Sequence, residues 1–361
     1  MKKKLLNALL AISIFTFGCE DDDDPAVQLT IPTSYSSTSF AANTTAENTV
    51  VTELGVMTSA ANDAEANAQG ATPVADISYP SNLSAVTLPG YRTKVQDWLV
   101  ELVKSANDDD AFQNPGSGTP AIDEEGGLLG TRLLDENGLE LEQMVQKGSF
   151  GAALYNHALS VIEGDLSNSS AIDKLVAIHG TDASFNPETA TAAATYSVRR
   201  SNQLTETGFF YDIKTALITA KAAIEGGSAF NAERDQAIAD YLMAWEKSNF
   251  ATVIFYCNST KTQLQNAGSD EAALGDALHA YAEGVAFAHG FKGVSNKLIT
   301  DSQIDSILEL LLAPDGETPE SYRFLNEANL IANLDQIIDD IQTIYGFTDA
   351  EVNTFFVNNP E

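Results

Sequence analysis

The four histidines of this sequence are the residues best suited to bind a metal or to transfer a proton. The clearest constellation is His279-Ala-Tyr-Ala-Glu283, in which an imidazole and a carboxylate stand one helical turn apart. At 100° per residue the two side chains point within about 40° of each other, so one metal ion could contact both. His289 follows on the same helix, among apolar residues, and is expected to point into a helical bundle. Ionisable groups facing a bundle core are where such folds build metal and haem sites.

The same histidines also have a purely structural interpretation. His289 could be a neutral core histidine, and His279 with Glu283 could form a surface pair. His157 lies on the second apolar stripe of a long helix, where a hydrogen-bonded interhelical histidine is the simplest interpretation. His179 and Asp182 fall in a segment without periodicity, as loop residues that either contact a ligand or form an exposed pair.

No catalytic motif accompanies these residues. The sequence contains no His-Glu-x-x-His, no Gly-x-Ser-x-Gly, no P-loop and no dinucleotide fingerprint. The only two cysteines, Cys19 and Cys257, do not form a zinc-binding pair, and Cys257 is expected to be a small buried hydrophobe. We therefore expect a protein that is not an enzyme, whose cofactor, if it has one, is a divalent metal or iron.

Amphipathic helices are the elements that must position these side chains. Apolar residues recur at spacings of three and four in seven segments, which predicts helices over about 91–108, 139–163, 207–226, 231–266, 270–291, 301–313 and 320–345. The 139–163 segment is apolar on two sides, as is typical of a central bundle helix. Residues 166–210 show little periodicity, and no strand-like alternation is sustained. The sequence predicts an all-α helical bundle with long irregular loops.

The N-terminus has the features of a bacterial lipoprotein signal peptide. Three lysines precede an apolar run that ends at Phe17 and is too short to span a bilayer, and Gly18 stands directly before Cys19. The pattern predicts removal of residues 1–18 and acylation of Cys19, which would tether the chain to the membrane through its acyl chains. An ordinary signal peptide with an incidental cysteine is the alternative.

An acidic run follows the predicted lipidation site, consisting of Glu20, Asp21, Asp22, Asp23 and Asp24. It resembles the export signal of Bacteroidota surface lipoproteins, which implies an outer-membrane protein exposed at the cell surface; the alternatives are a solvated spacer and a periplasm-facing protein. Residues 19–45 are expected to form this acidic tether and a flexible linker. Residues 46–361 are expected to form a single helical domain, with its best-supported core at 90–345.

The charge balance excludes one class of partner. The 361 residues carry 19 Lys and Arg against 51 Asp and Glu, a formal charge of −32. A nucleic-acid binder needs a basic face, so nucleic acid is excluded as a partner. Hydrophobic residues make up 44% of the chain, which excludes wholesale disorder.

Several stretches of the helical part resemble a Bacteroidota lipoprotein family of unknown function. They are Gln146-Lys147-Gly148-Ser149-Phe150-Gly151-Ala152, Ala222-Ala223-Ile224, Trp245-Glu246 and Ala280 to Phe287. The similarity spans roughly residues 90–345 and implies an all-helical, membrane-tethered protein, similar in setting to the imelysin-like proteins associated with iron acquisition. The imelysin motif G-x-H-x-x-E is absent, because Gly275 and Glu283 each stand four residues from His279. The family's motif beginning H-W-D-E is reduced to His179, Asp182 and Ala183.

Three functions follow from these observations. The first is a non-catalytic, lipid-anchored envelope protein that binds a metal ion or an iron-containing ligand for an uptake system. The second is a surface interaction or structural lipoprotein that binds another envelope protein and no small molecule. The third is an imelysin-like metallopeptidase, for which the sequence offers no general-base Glu beside a ligand His.

Overall fold

The computed structural model describes residues 28–108, 110–120 and 126–360. The signal peptide, Cys19 and the acidic run Glu20–Asp24 lie outside these residues. Within the described ranges, no helix is both long enough and apolar enough to cross a membrane.

Helices make up most of the described chain, and the predicted all-α class is confirmed. In chain order they are α1 (Phe40–Asn43), α2 (Thr45–Gln69), α3 (Ser81–Val86), α4 (Pro89–Asn107), α5 (Leu141–Ser149), α6 (Asn156–Glu163), α7 (Ser170–His179), α8 (Ala192–Arg199), α9 (Phe209–Gly226), α10 (Asn231–Ala267), α11 (Glu271–His289), α12 (Asp301–Leu310), α13 (Arg323–Asn326), α14 (Ile331–Tyr345) and α15 (Asp349–Phe355). Short 3-10 turns cover Pro187–Thr189, Ser228–Phe230 and Ala328–Leu330. Two small antiparallel hairpins pair β1 (Gly127–Leu129) with β2 (Arg132–Leu134) and β3 (Ser201–Asn202) with β4 (Thr207–Gly208).

The 37-residue helix α10 forms the centre of the bundle and packs against α9, α11 and α14. It buries Trp245, whose ring meets those of Tyr155 at 5.3 Å and Tyr241 at 5.8 Å between centroids. Helix α11, which packs against α10, also packs against α5. Charged side chains between α5 and α11 are therefore enclosed by protein, and they must find partners there because burying an unpaired charge is costly.

Glycines allow α5 to approach the end of α11 closely. A Cβ atom on Gly290 would overlap the carbonyl oxygen of Gly148, and a Cβ atom on Gly148 would overlap the hydroxyl of Tyr91. That hydroxyl donates a 2.6 Å hydrogen bond to the carbonyl of Met144. A larger residue at position 290 would meet the backbone of Gly148, and one at position 148 would displace the side chain of Tyr91 on α4. The two glycines thus permit the close approach of α5 to α11.

The helix predicted over 139–163 is continuous but not regular. A π-helical segment, Phe150–Tyr155, lies between α5 and α6. Such segments disturb the ordinary hydrogen-bond ladder and are frequent at functional sites. The irregularity begins three residues after Lys147, a buried lysine.

The chain before α2 is anchored to α7 through a buried carboxylate. Asp173 is 1% exposed and accepts hydrogen bonds from Tyr35 Oη at 2.5 Å, Ser37 Oγ at 2.8 Å and Asn43 Nδ2 at 2.7 Å. The polar residues of this segment, whose composition predicted a flexible linker, thus donate hydrogen bonds to the carboxylate of Asp173. The folded part of the chain extends N-terminal to residue 46, into the predicted linker.

The segment 166–210, which was expected to be irregular, contains α7 and α8, so that prediction is wrong for both helices. Eight of the ten residues of α7 are buried. Because only Ser170 and Lys174 are part-exposed, α7 has almost no polar face and therefore little amphipathic period to detect.

Candidate functional site

The strongest concentration of buried charge lies between α5 and α11. It consists of Glu140, Glu142 and Lys147 from the start and body of α5, and His279 and Glu283 from α11; we call these five residues the charged cluster. All of them except His279 are less than 10% exposed. Such a group is unusual in a bundle core, where charged side chains are almost never buried unless they are paired.

His279 lies between two carboxylates of this cluster. Its Nδ1 is 2.7 Å from Glu140 Oε2, and its Nε2 is 3.6 Å from Glu283 Oε2. The i, i+4 spacing thus does bring His279 and Glu283 together, but Glu283 is buried and the two residues are not a surface pair. Burial lowers the pKa of His279, and the hydrogen bond and charge of Glu140 outweigh it, so the pKa of His279 is raised overall.

Lys147 provides the buried positive charge of the cluster. Its Nζ is 3.4 Å from Glu283 Oε1, and the hydroxyl of Tyr196 donates to the same oxygen at 3.3 Å. Burial alone would lower the pKa of Lys147, but Tyr196, Glu283 and Glu142 hold it above its ordinary value. Lys147 therefore carries its charge inside the protein and neutralises part of the acidic surplus.

The carboxylates outnumber the cations that could balance them. Burial raises the pKa of Glu142 to about 7, against the attraction of Lys147. Burial and the neighbouring Glu140 raise the pKa of Glu65, on α2, to about 7 as well. Burial is the main cause of both raised pKa values, and a cation bound nearby would lower them again.

The cluster reaches the surface through His279. This side chain is one quarter exposed and lines an open cavity of about 480 Å³. Arg132 and Asp276, joined by a 2.8 Å ion pair, line the same cavity, with Gln263 and Asn266 of α10 opposite. A ligand can therefore reach His279 from solvent, whereas Glu140 and Glu283 lie behind it.

His289 does not belong to this cluster. Its ring packs against Tyr91 and Trp98, and its Nε2 is 3.0 Å from Asp315 Oδ1. It faces the interior as predicted, but it stands ten positions after His279, which is about 15 Å along the helix axis. Of the three candidate metal ligands on this helix, His289 is therefore too far from His279 and Glu283 to bind the same ion. In the described part of the chain, no three His, Cys, Asp or Glu side chains are arranged to hold a metal ion.

The remaining candidates lie in separate places. His179 is fully buried at the end of α7, 3.1 Å from Ser197 Oγ and against the ring of Trp245, and burial lowers its pKa to about 3. Asp182, the other half of that predicted pair, is engaged in a turn with Ser184. His179 is thus a core residue and not a loop ligand. His157, on α6, lies 3.5 Å from Glu47 of α2.

Three members of the charged cluster are not predicted from the sequence. Glu140, Glu142 and Lys147 interrupt a helix that is apolar on two sides, and charged residues inside such a helix were the available signal. Their partners on α11 are more than 130 residues away in sequence, so no local spacing indicates the contact.

Comparison with known proteins adds nothing to this geometry. No family model matches the sequence, and no curated protein or solved structure is significantly similar to it.

Proposed function

We propose that this chain is a non-catalytic, lipid-anchored envelope protein that binds a divalent metal ion, free or within an iron-containing ligand, at His279 and Glu283. The metal is cargo for an uptake system at the outer membrane. The observation that carries the proposal is the position of His279 between two carboxylates. Glu140 contacts its Nδ1, and Glu283 faces its Nε2.

The imidazole nitrogen of His279 and the carboxylate oxygen of Glu283 that face each other have the spacing of two ligands of one metal ion. Zinc bound by nitrogen and oxygen at about 2.1 Å in a tetrahedron separates the two donors by about 3.4 Å. His279 Nε2 and Glu283 Oε2 are 3.6 Å apart. A histidine that binds a metal almost always donates its other N–H to a carboxylate or carbonyl, and Glu140 occupies that position.

Two protein ligands leave the other coordination positions to the cargo itself. The cavity of about 480 Å³ beside His279 has room for water or for a chelating molecule. A metal would also supply positive charge close to Glu142 in the cluster and to Glu65 beside it, whose pKa values are raised to about 7 by burial. Lys147 competes for Glu283, which favours reversible binding, as a cargo protein requires.

Metal binding can be measured on protein purified without a His tag. We expect zinc, manganese or iron to bind in a calorimetric titration, and His279→Ala and Glu283→Gln to weaken the binding at least tenfold. Glu140→Gln should weaken it by about 10- to 100-fold, the usual cost of losing a carboxylate that orients a ligand histidine. Asp182→Asn, outside the cluster, is the matched control. Equal metal content in all five proteins would contradict the proposal.

The anchor gives a second test. We expect the wild type to fractionate with the outer membrane and Cys19→Ala to be released from it, because loss of the acyl chains removes the only proposed membrane attachment. Replacing Asp21–Asp24 by Asn should leave membrane attachment intact and reduce cleavage by protease added to whole cells. Membrane attachment of Cys19→Ala would exclude a lipid anchor at this residue.

A further inference from the structure

A second cavity, separate from the charged cluster, lies where α2, α6 and α7 meet. It encloses about 390 Å³, within the usual range of small-molecule sites. The side chains in its lining that can carry charge are Glu47, Asp165, His157 and Lys174. We call it the α7 cavity; its lining contains two acids, one lysine and one histidine.

Glu47 is the unusual residue of this cavity. It is 3% exposed, and its Oε2 has no hydrogen-bond partner among the described residues. His157 Nε2 lies 3.5 Å from Glu47 Oε1, beyond the length of a good hydrogen bond, and has no hydrogen-bond partner in the same ranges. Burying a carboxylate oxygen without a donor is costly, so this atom calls for a donor from a ligand.

Two buried carboxylates elsewhere in the described part of the chain have both oxygens paired, in contrast to Glu47. Asp173 accepts three hydrogen bonds from the N-terminal segment. Glu246 accepts from the backbone N–H groups of Leu298 and Ile299 and from the hydroxyl of Tyr345. At Asp173 and Glu246, which hold chain segments together, each carboxylate oxygen accepts at least one hydrogen bond. Glu47 differs from them because its Oε2 lacks a donor.

The opposite charge in the cavity is also unpaired. Lys174 on α7 forms no ion pair or hydrogen bond with any described residue, although its charge acts on Glu47. Lys174 would repel a bare divalent cation, and Glu47 and Asp165 would repel an anion. A small molecule with both an ammonium and a carboxylate group can pair with the acids and with Lys174 at the same time.

We propose that the α7 cavity binds a free amino acid or a similar small zwitterion. The ammonium group donates to Glu47, and the carboxylate group of the ligand accepts from Lys174 and His157. Charge-assisted hydrogen bonds of this kind are about twice as strong as neutral ones, so they decide which class of molecule binds. The ligand would fill the cavity between α2 and α7 and supply the donor that Glu47 lacks.

Calorimetric titration of the full chain in detergent with each of the common L-amino acids tests the proposal. We expect at least one of them to bind with one-to-one stoichiometry. The matching amine without a carboxylate and the matching acid without an amine should each bind the wild type at least tenfold more weakly. Absence of binding by every amino acid at millimolar concentration would overturn the proposal, and so would an amine that binds as tightly as its parent.

Variants then locate the site. Glu47→Gln and Lys174→Met should each weaken the binding at least tenfold, whereas Glu309→Gln, an exposed residue of α12, should not change it. His279→Ala should also leave amino-acid binding unchanged, so failure of the metal site and failure of this one are distinguishable. Circular dichroism shows whether each variant folds. If a variant does not fold, the wild-type affinities for the amino acid, the matching amine and the matching acid still test the proposal. Unchanged binding in folded Glu47→Gln and Lys174→Met proteins would exclude the α7 cavity.

Discussion

Replacing Lys147 by Met should destabilise the protein by about 3–5 kcal/mol, the usual cost of removing one partner of a buried ion pair. Lys147 is 8% exposed and its Nζ lies 3.4 Å from Glu283. Without it, two buried acids, Glu283 and Glu142, lose their nearest buried cation. Met has a similar length and fills the space, so the change reports on charge and not on a cavity. Urea denaturation followed by circular dichroism measures the loss.

Two controls separate this effect from a general effect of losing a lysine. Lys104→Met on α4 removes an exposed partner of Glu101 and should cost less than about 1 kcal/mol. The double variant Lys147→Met/Glu283→Gln should recover part of the lost stability, because it also removes the unpaired negative charge. If Lys147→Met costs no more than Lys104→Met, the cluster does not depend on buried charge balance.

Replacing Glu142 by Gln should raise the stability of the variant relative to wild type as the pH rises. Burial raises the pKa of Glu142 from 4.5 to about 7, so the folded state keeps this proton while the unfolded state loses it. The contribution is fully present below about pH 4.5 and is lost as the pH rises through about 7. It amounts to on the order of 3 kcal/mol over that window, at about 1.4 kcal/mol for each pKa unit.

The measurement is the unfolding free energy of both proteins across this pH window. The difference between Glu142→Gln and wild type should move in favour of the variant as the pH rises, because Gln has no proton to lose. Glu309→Gln, at an exposed position, should show no such trend. A difference between Glu142→Gln and wild type that does not change with pH would contradict the raised pKa of the buried carboxyl.

Periodicity was sufficient to predict the helices that have one polar face. The apolar stripe of Val95, Leu99 and Val103 indicated α4, and that of Ile238, Leu242 and Trp245 indicated part of α10. The same method failed for α7, because eight of its ten residues are buried. It also failed to indicate the π-helical segment Phe150–Tyr155, since the apolar pattern continues through it.

The candidate site was predictable only where its residues are neighbours in sequence. The pair His279 and Glu283 follows from the four-residue spacing on one helix. Glu140 and Lys147 could not be assigned to it, because the contact between α5 and α11 depends on tertiary packing through Gly148 and Gly290. Short-range rules describe a helix face, whereas the choice of the opposing helix is set by shape across the whole bundle.

The π-helical segment determines how the two proposed sites are oriented relative to each other. Lys147 stands before it on α5 and His157 after it on α6, so a single continuous helical rod carries one residue of each site. A π turn holds one residue more than the α turn that it replaces, and each of its residues turns the chain by only about 80° instead of about 100°. The six residues Phe150–Tyr155 therefore rotate the helix by nearly as much as about five α-helical residues would. The segment thus places one extra residue between the two proposed sites, while Lys147 and His157 keep nearly the phase of an unbroken helix.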